Sequence, residues 1–198
     1  MSKPADQVPV APTTTVLVFN GSSRAGSFNQ QLAVMIVDGL AAREVDARLV
    51  DLADSGLPLF DADLNASDGP PPAAHELQAA IAASAGLVIV SPEYNGAMTP
   101  LLKNTIDWVS RVDMTTLYPK RVALATATPG RRGGANVLDL TSRWLPYMGA
   151  EVFPETFGLP SVRHTLVDGQ LLDGHDERLA AFLDAVAGWF RESSADTV

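Results

Sequence analysis

Short apolar runs alternate along the chain with longer segments in which apolar and polar residues are mixed. Residues 86–91, G-L-V-I-V-S, form one such run, as expected for a central strand that is buried on both faces. Residues 28–42 instead place apolar side chains at i, i+4 spacing along one face, which predicts a helix. The alternation continues towards the C-terminus, so we expect a parallel sheet with helices on both faces.

Five strands and five helices follow from this pattern. The strands are expected at residues 16–20, 48–52, 86–91 and 121–127, with a fifth that starts at 151–153. The helices are expected at residues 28–42, 75–84, 100–111, 134–148 and 176–191. Residues 53–72 are rich in Pro, Gly and Asp, which predicts a long connection. The fold class is therefore α/β, a three-layer, doubly wound sheet of five parallel strands.

The length and composition of the chain are those of one domain. It has 198 residues, of which 46% are hydrophobic and 19% charged, and this leaves no room for a second domain. Residues 1–13 contain three prolines and predict a flexible leader. We expect the domain to span residues 14–192, with a C-terminal tail over 193–198.

Charge and residue usage exclude several classes of function. A net charge of -9 would repel a nucleic acid. The chain has no cysteine, which excludes disulfides and cysteine nucleophiles, so redox chemistry would need a cofactor. His75, His164 and His175 lack the spacing of metal ligands, and no metal is expected. No signal peptide or apolar run of roughly 18 residues is present, so we expect a cytoplasmic protein with no membrane partner.

A loop of small hydroxyl residues follows the first strand. Ser22, Ser23 and Ser27 supply hydroxyls, and Arg24 can bind two phosphate oxygens at once. Free backbone N–H groups at the start of the next helix attract phosphate as well. Because neither G-x-G-x-x-G nor Gly-Lys-Ser/Thr occurs here, a terminal monophosphate fits better than a pyrophosphate. The alternative is a plain turn with Ser27 as helix cap, and Arg24 argues against it.

Two further loops are expected at the same edge of the sheet, because ligands in doubly wound sheets bind outside the carboxyl ends of the strands. The second loop, residues 92–96, follows the third strand, and the third loop, residues 128–134, follows the fourth. Together with the first loop they describe a slot for a flat ring that carries a phosphate. The alternative for the second loop is a turn in which Asn95 and Gly96 take positive φ and Tyr94 is exposed.

Two motifs carry a resemblance to a known family. The first is G-S-S-R-A-G-S-F-N at residues 21–29, followed by Leu32-Ala33. The second is S-P-E-Y-N-G at residues 91–96, with Lys103-Asn104 and Ile106-Asp107-Trp108 downstream. Over about residues 14–190 the chain resembles the NADPH-dependent FMN reductase family, which includes flavodoxin-like quinone, azo-dye and chromate reductases. The resemblance implies a flavodoxin-like fold, FMN as cofactor and NADPH or NADH as co-substrate.

The resemblance also implies which residues bind the cofactor. In that family the second loop contacts the edge of the isoalloxazine ring, and the third loop covers its other side. The expected cofactor-binding residues are Ser22, Ser23, Arg24, Ser27, Phe28, Asn29, Pro92, Glu93, Tyr94, Asn95, Gly96, Thr128, Gly130 and Gly133. A ping-pong hydride transfer from NAD(P)H through FMN to a quinone, flavin, azo compound or metal oxyanion needs no catalytic acid or base, and none is nominated. Family members form homodimers or homotetramers, and the same is expected here.

Two other functions stay open at this point. One is a flavodoxin-like electron carrier, whose acidic surface would suit basic protein partners. The other is a flavin-free binder of a nucleotide or sugar phosphate. The third loop departs from the family by adding Arg131 and Arg132, so their role, including contact with an NADPH phosphate, is open as well. The sequence does not choose between NADH and NADPH or among the acceptors.

Overall fold

The computed structural model describes residues 15–118 and 120–195. The predicted leader, residues 1–13, and residues 196–198 of the predicted tail lie outside the described residues. The last helix continues to Ala195, three residues beyond the predicted end of the domain. Among the described residues, no helix has both the length and the apolar character needed to cross a membrane.

Strands and helices alternate in the described chain. The strands are β1 (Val16–Asn20), β2 (Ala47–Asp51), β3 (Gly86–Val90), β4 (Arg121–Ala127), β5 (Glu151–Leu159), β6 (Leu166–Val167) and β7 (Gln170–Leu171). The α-helices are α1 (Phe28–Ala41), α2 (Ala62–Asp68), α3 (Pro72–Ala83), α4 (Pro100–Val112), α5 (Ala135–Tyr147), α6 (Val162–Thr165) and α7 (His175–Ala195). A short 3₁₀ helix, Leu52–Ser55, follows β2.

Strands β1 to β5 form one parallel sheet in the order β2-β1-β3-β4-β5. This order is that of flavodoxin-like doubly wound folds. The predicted fold class is therefore confirmed. The strand order reverses between β1 and β3, which is where such sheets bind their ligands.

Helices cover both faces of the sheet, because successive residues of a strand point to opposite sides. In β3, Val88 and Val90 pack in a core with α1 and α7, whereas Leu87 and Ile89 pack in a second core with α3, α4 and α5. All five residues of β3 are buried, which explains why its sequence is apolar throughout.

One helix lies where a long connection was predicted. Helix α2 falls inside residues 53–72, and the carboxylate of Asp61 caps it by accepting from the backbone N–H groups of Asp63 and Leu64 at 2.8 and 2.9 Å. The seven residues of α2 include no buried side chain, so no apolar periodicity marks the helix in the sequence. Prediction of an unbroken connection was wrong for this reason.

The edge strand β5 is longer than its predicted start suggests. Its register against β4 shifts between the pairs Val122–Val152 and Leu124–Thr156, so the segment with Pro154 bulges out of the ladder. Proline has no N–H to donate, and it is tolerated at an edge or a bulge. After β5 the chain adds α6 and the β6–β7 hairpin, which the sequence pattern did not predict.

Candidate functional site: a cavity between three loops

A cavity of about 240 Å³ opens at the carboxyl ends of β1, β3 and β4, and we call it the three-loop cavity. Its described lining is Ser22, Arg24, Ser27, Phe28, Asn29, Pro92, Glu93, Tyr94, Ala127, Thr128, Pro129 and Arg163. Nine of the fourteen predicted cofactor-binding residues are thus brought together. The other five, Ser23, Asn95, Gly96, Gly130 and Gly133, lie outside this described lining.

The first loop is shaped by a buried polar side chain at the end of β1. The Asn20 amide donates to the Asp51 carboxylate at 3.1 Å and to the Ser22 carbonyl at 3.3 Å, and its oxygen accepts from the Ser22 N–H at 3.1 Å. The Ser22 hydroxyl in turn accepts from the Arg24 N–H at 3.4 Å. Sequence reasoning missed Asn20, although a polar residue that ends an apolar strand is a signal for such a role.

Ser27 caps the first helix and leaves two amides open beside it. Its hydroxyl accepts from the Gln30 N–H at 3.0 Å, as an N-cap does. The N–H groups of Phe28 and Asn29, in the first turn of α1, have no acceptor among the described residues. Such unpaired donors at a helix N-terminus are the groups that bind phosphate. The cap and the phosphate interpretation of this loop are therefore compatible.

The Asn29 side chain ties the first loop to the third. Its amide donates to the Ala127 carbonyl at 2.8 Å and accepts from the Ala127 N–H at 2.9 Å, and the residue is buried. Both polar ends of the side chain are thus used within the protein. What Asn29 can offer a ligand is its backbone N–H.

The second loop contains a tight turn. The backbone groups of Tyr94 and Ala97 exchange two hydrogen bonds, of 2.9 and 3.0 Å, and Asn95 and Gly96 between them have φ of 52° and 80°. The turn that the sequence suggested as the alternative is therefore present. It positions Tyr94, which is 44% exposed, at the cavity.

Glu93 links the second loop to the helix that follows the third. Its carboxylate accepts from the backbone N–H groups of Asn136 and Val137, both at 3.2 Å, and from the Asn136 side-chain amide at 3.2 Å. These N–H groups belong to the first turn of α5, where a negative charge is stabilised by the helix dipole. Glu93 thus acts as the cap of α5 and holds two walls of the cavity together.

The third loop is anchored on the edge strand and packs tightly. Thr128 donates its N–H to the Leu159 carbonyl and accepts from the Val162 N–H, both at 3.0 Å. At Gly134, φ is +69° and a Cβ atom would lie 2.4 Å from Cγ2 of Thr126. Only glycine fits there, so Gly134 has a structural reason that is separate from ligand contact.

Two exposed arginines stand at the three-loop cavity. Arg24 comes from the first loop, with its guanidinium 5.7 Å from the centroid of the Phe28 ring, and Arg163 comes from α6. Sequence reasoning missed Arg163, although the segment after the fifth strand opens at the same edge as the other loops. Two cations and two open amides suit a phosphate.

The walls of the cavity suit an attached ring. Phe28, Pro92, Ala127 and Pro129 give it apolar surface next to the cationic groups. Cofactor sites are commonly about 300–1,000 Å³ in volume, so a cavity of about 240 Å³ encloses part of a flavin and leaves part uncovered. An uncovered side is what a co-substrate needs in order to reach the ring. The residues present therefore fit FMN.

Comparison with known proteins points to the same cofactor. Residues 14–164 match the NADPH-dependent FMN reductase family. The chain is 36% identical to a quinone reductase of Escherichia coli over 156 residues, which cover 78% of this chain and 81% of that protein. It is 38% identical to an NAD(P)H-dependent FMN reductase of Pseudomonas aeruginosa over 179 residues, or 89% of this chain and 95% of the relative.

A solved structure agrees with these sequence relatives. FerB of Paracoccus denitrificans, a flavoenzyme NAD(P)H:(acceptor) oxidoreductase, superposes with a TM-score of 0.76 at 26% identity. The superposition covers 90% of this chain and 98% of FerB. These likenesses favour an enzyme over an electron carrier. The chain belongs to the NADPH-dependent FMN reductase family and is an oxidoreductase that uses FMN as cofactor and NAD(P)H as co-substrate.

Proposed function

We propose that the three-loop cavity holds FMN, with the phosphate at the first loop and the ring between the second and third loops. The observation that carries this assignment is the meeting of Arg24, Arg163 and the open N–H groups of Phe28 and Asn29 in one cavity with apolar walls. Each of these groups favours a phosphate. The apolar walls indicate that the phosphate is attached to a ring, because a free anion would not need them.

The chain's own residues have a limited task in this reaction. FMN, when bound, supplies hydride acceptance and electron transfer, which side chains do not provide. The first loop binds the phosphate, while Pro92 and Tyr94 on one side and Thr128 and Pro129 on the other orient the ring. No catalytic acid or base is required, and the uncovered side of the cavity admits donor and acceptor in turn.

We infer that the acceptor is a neutral quinone. The Escherichia coli relative is named a quinone reductase, which supports this class. The net charge of -9 supports it as well, because an anionic acceptor such as a metal oxyanion would be repelled by the protein as a whole.

A visible spectrum tests the proposal. The purified protein is reconstituted with FMN and mixed anaerobically with NADPH or NADH, and a quinone is then added. Bleaching of the flavin band followed by its return on addition of quinone is the expected result. A flavin that binds but resists both nicotinamides would support an electron carrier, and failure to bind FMN would overturn the cofactor assignment.

Arg24→Ala is expected to weaken FMN binding about ten- to a hundredfold, because it removes a charge-assisted hydrogen bond donor from the phosphate. The affinity is measured by titrating the quenching of flavin fluorescence. Arg48→Ala is the matched control, since Arg48 is an exposed arginine on β2 that is not part of the cavity lining. Equal FMN affinity in the two variants would contradict the phosphate position.

A homodimer or homotetramer is part of the same proposal. Leu59 is 79% exposed, although its neighbours are held in place: the Phe60 N–H donates to the Asn104 side chain at 2.7 Å, and Trp108 Nε1–H donates to the Pro58 carbonyl at 2.7 Å. Single exposed apolar residues are common on monomers, so the proposal rests on the homodimers and homotetramers of the family, and Leu59 is a candidate contact. Sedimentation equilibrium tests this, and a mass equal to one chain would contradict it.

We place the enzyme in the cytoplasm as part of this proposal, because reduced nicotinamide nucleotides are produced there. Cell fractionation with activity measured in each fraction tests the location. Activity confined to a membrane or secreted fraction would contradict it.

A further inference from the structure

A second and larger cavity lies on the other side of the third loop. Its volume is about 500 Å³, and we call it the arginine cavity. The cavity is lined by Arg131, Arg132 and Gly133 of the third loop and by Arg178 of α7. Thr128 and Pro129 of the same loop line the three-loop cavity, so a few residues of backbone separate the two cavities.

The arginine cavity is lined by positive side chains, whereas the protein as a whole is negatively charged. Three arginines line it in a chain with a net charge of -9. Its lining includes one carboxylate, Asp139, which is already ion-paired with Arg143. Among the described residues, no acidic side chain forms an ion pair with Arg131, Arg132 or Arg178. Three positive charges around one cavity, without an acidic partner in the protein, favour the binding of an anionic ligand.

Arg178 is held in position by contacts that involve no carboxylate. Its guanidinium lies 2.7 Å from His175 Nδ1 and 3.5 Å from the Gly158 carbonyl oxygen, and it stands 5.5 Å from the centroid of the Phe157 ring. These contacts orient the group and leave its charge uncompensated. Arg178 is therefore prearranged for a ligand that carries negative charge.

Apolar residues form part of the remaining lining, beside the hydroxyl groups of Ser142 and Thr156. Ala135, Leu138, Pro154 and Pro160 provide surface against which a flat ring can pack. The volume of about 500 Å³ lies within the range of about 300–1,000 Å³ that small-molecule sites occupy. Apolar walls next to several guanidinium groups suit a nucleoside that carries phosphate.

We propose that the arginine cavity binds the phosphate-bearing adenosine end of NADPH, with Arg131, Arg132 and Arg178 around its 2′-phosphate. This proposal rests on the function proposed above, since the nicotinamide end must reach the uncovered side of the three-loop cavity. The third loop, which contributes to both cavities, then lies between the two ends of one coenzyme. NADH has no 2′-phosphate, so the three arginines make the enzyme prefer NADPH.

Two variants test the assignment. In Arg131→Gln/Arg132→Gln and in Arg178→Gln, KM for NADPH is expected to rise about ten- to a hundredfold, while KM for NADH changes by less than about twofold. Arg48→Gln, which replaces an exposed arginine on β2, is the matched control. FMN affinity, measured by fluorescence titration, is expected to stay unchanged in all three, because none of these arginines lines the three-loop cavity.

Direct binding gives a second readout that does not depend on activity. Calorimetric titration with adenosine 2′,5′-bisphosphate and with 5′-AMP is expected to show tighter binding of the bisphosphate, and the arginine variants are expected to lose that difference. Variants that bind FMN and keep the wild-type ratio of KM for NADPH to KM for NADH would overturn the inference and leave the proposed function intact.

Two other outcomes are informative. One distinguishes binding of free phosphate from binding of the coenzyme, and the other distinguishes failure of the proposed function from failure of the coenzyme assignment. If inorganic phosphate competes with the bisphosphate at equal affinity and the coenzyme preference survives in the variants, the cavity is a site for free phosphate and the coenzyme assignment is wrong. If the wild type binds no FMN, the proposed function fails. In that case, loss of bisphosphate binding in the arginine variants would still support the arginine cavity as an adenosine phosphate site.

Discussion

At the scale of single residues, Asn29 shows how one side chain can fix the geometry of a site without being offered to the ligand. Its amide pairs with both backbone groups of Ala127, at 2.8 and 2.9 Å, in a buried position. Asn29 lies in the first turn of α1, directly after the first loop, and Ala127 ends β4, directly before the third loop. This pair therefore sets the distance between two walls of the three-loop cavity.

Asn29→Ala is expected to destabilise the protein by about 1–3 kcal/mol, since two buried backbone groups of Ala127 lose their partner. Urea denaturation monitored by circular dichroism measures the effect. Gln31→Ala is the control, because Gln31 is only partly buried and its side chain makes one bond, of 3.4 Å, to the Gly26 carbonyl. Equal stability of the two variants would contradict the role given to Asn29.

The residues that the sequence identified share a local signal, and the residues that it missed do not. Ser22, Arg24 and Ser27 lie in one short stretch between a strand and a helix, where capping and phosphate chemistry can be read directly. Arg163 and Arg178 reach their cavities only because α6 is hydrogen-bonded to the third loop at Thr128 and α7 packs against β5. Contacts between distant segments leave no pattern in the neighbouring residues, so sequence reasoning did not find them.

At the scale of elements, the junction between β4 and α5 depends on one glycine and on a carboxylate from another loop. Gly134 has φ of +69° and no room for a Cβ next to Thr126, and Glu93 caps the helix that begins one residue later. The junction thus joins the second and third loops to the sheet.

Gly134→Ala is expected to destabilise the protein more than Gly56→Ala, although both glycines have similar φ values, +69° and +62°. Gly56→Ala carries only the cost of a left-handed backbone, about 1–2 kcal/mol, since a Cβ there would meet no described atom within 4 Å. Gly134→Ala adds the clash with Thr126, about 1–3 kcal/mol. Thermal and urea unfolding of both variants measure the difference, and equal losses would show that the contact with Thr126 relaxes freely.

Elements were predictable where burial imposes a pattern. Strand β4 was predicted at the residues it occupies, and β3 within one residue, because both are covered by helices and must be apolar. Helix α2 was not predicted, because its seven residues lie on the surface and its cap, Asp61, looks like part of a loop. The start of strand β5 was predicted but its end was not, because Pro154 usually ends a strand in the interior of a sheet.

At the scale of the whole molecule, charge is distributed unevenly. The chain carries 23 acidic and 14 basic residues, yet three of the arginines surround one cavity and two stand at another. Far from its surface the protein acts as an anion, whereas five arginines are concentrated at the two cavities. An anionic ligand is therefore repelled by the net charge of the protein as it approaches, and it is attracted by the arginines once it reaches a cavity.

This distribution predicts how salt affects different acceptors. Raising salt from about 0.01 M to about 0.1 M shortens the Debye length from about 30 Å to about 10 Å. With NADPH saturating, kcat/KM for ferricyanide, an anion, is expected to rise severalfold, while the value for an uncharged quinone stays within about twofold. Steady-state kinetics at both salt concentrations measure this. A parallel response of the two acceptors would show that net charge has no part in acceptor choice.

The contacts between Asn29 and Ala127 and between Glu93 and α5 join protein to protein, and none of them runs through the cofactor. The walls of the three-loop cavity are therefore positioned by the protein itself, and the FMN proposed to bind there is expected to enter a preformed site. We expect that flavin can be removed and rebound without unfolding of the protein. Synthetic flavins of different redox potential, loaded in this way, would give a series of enzymes that share one protein and differ only in the driving force for electron transfer.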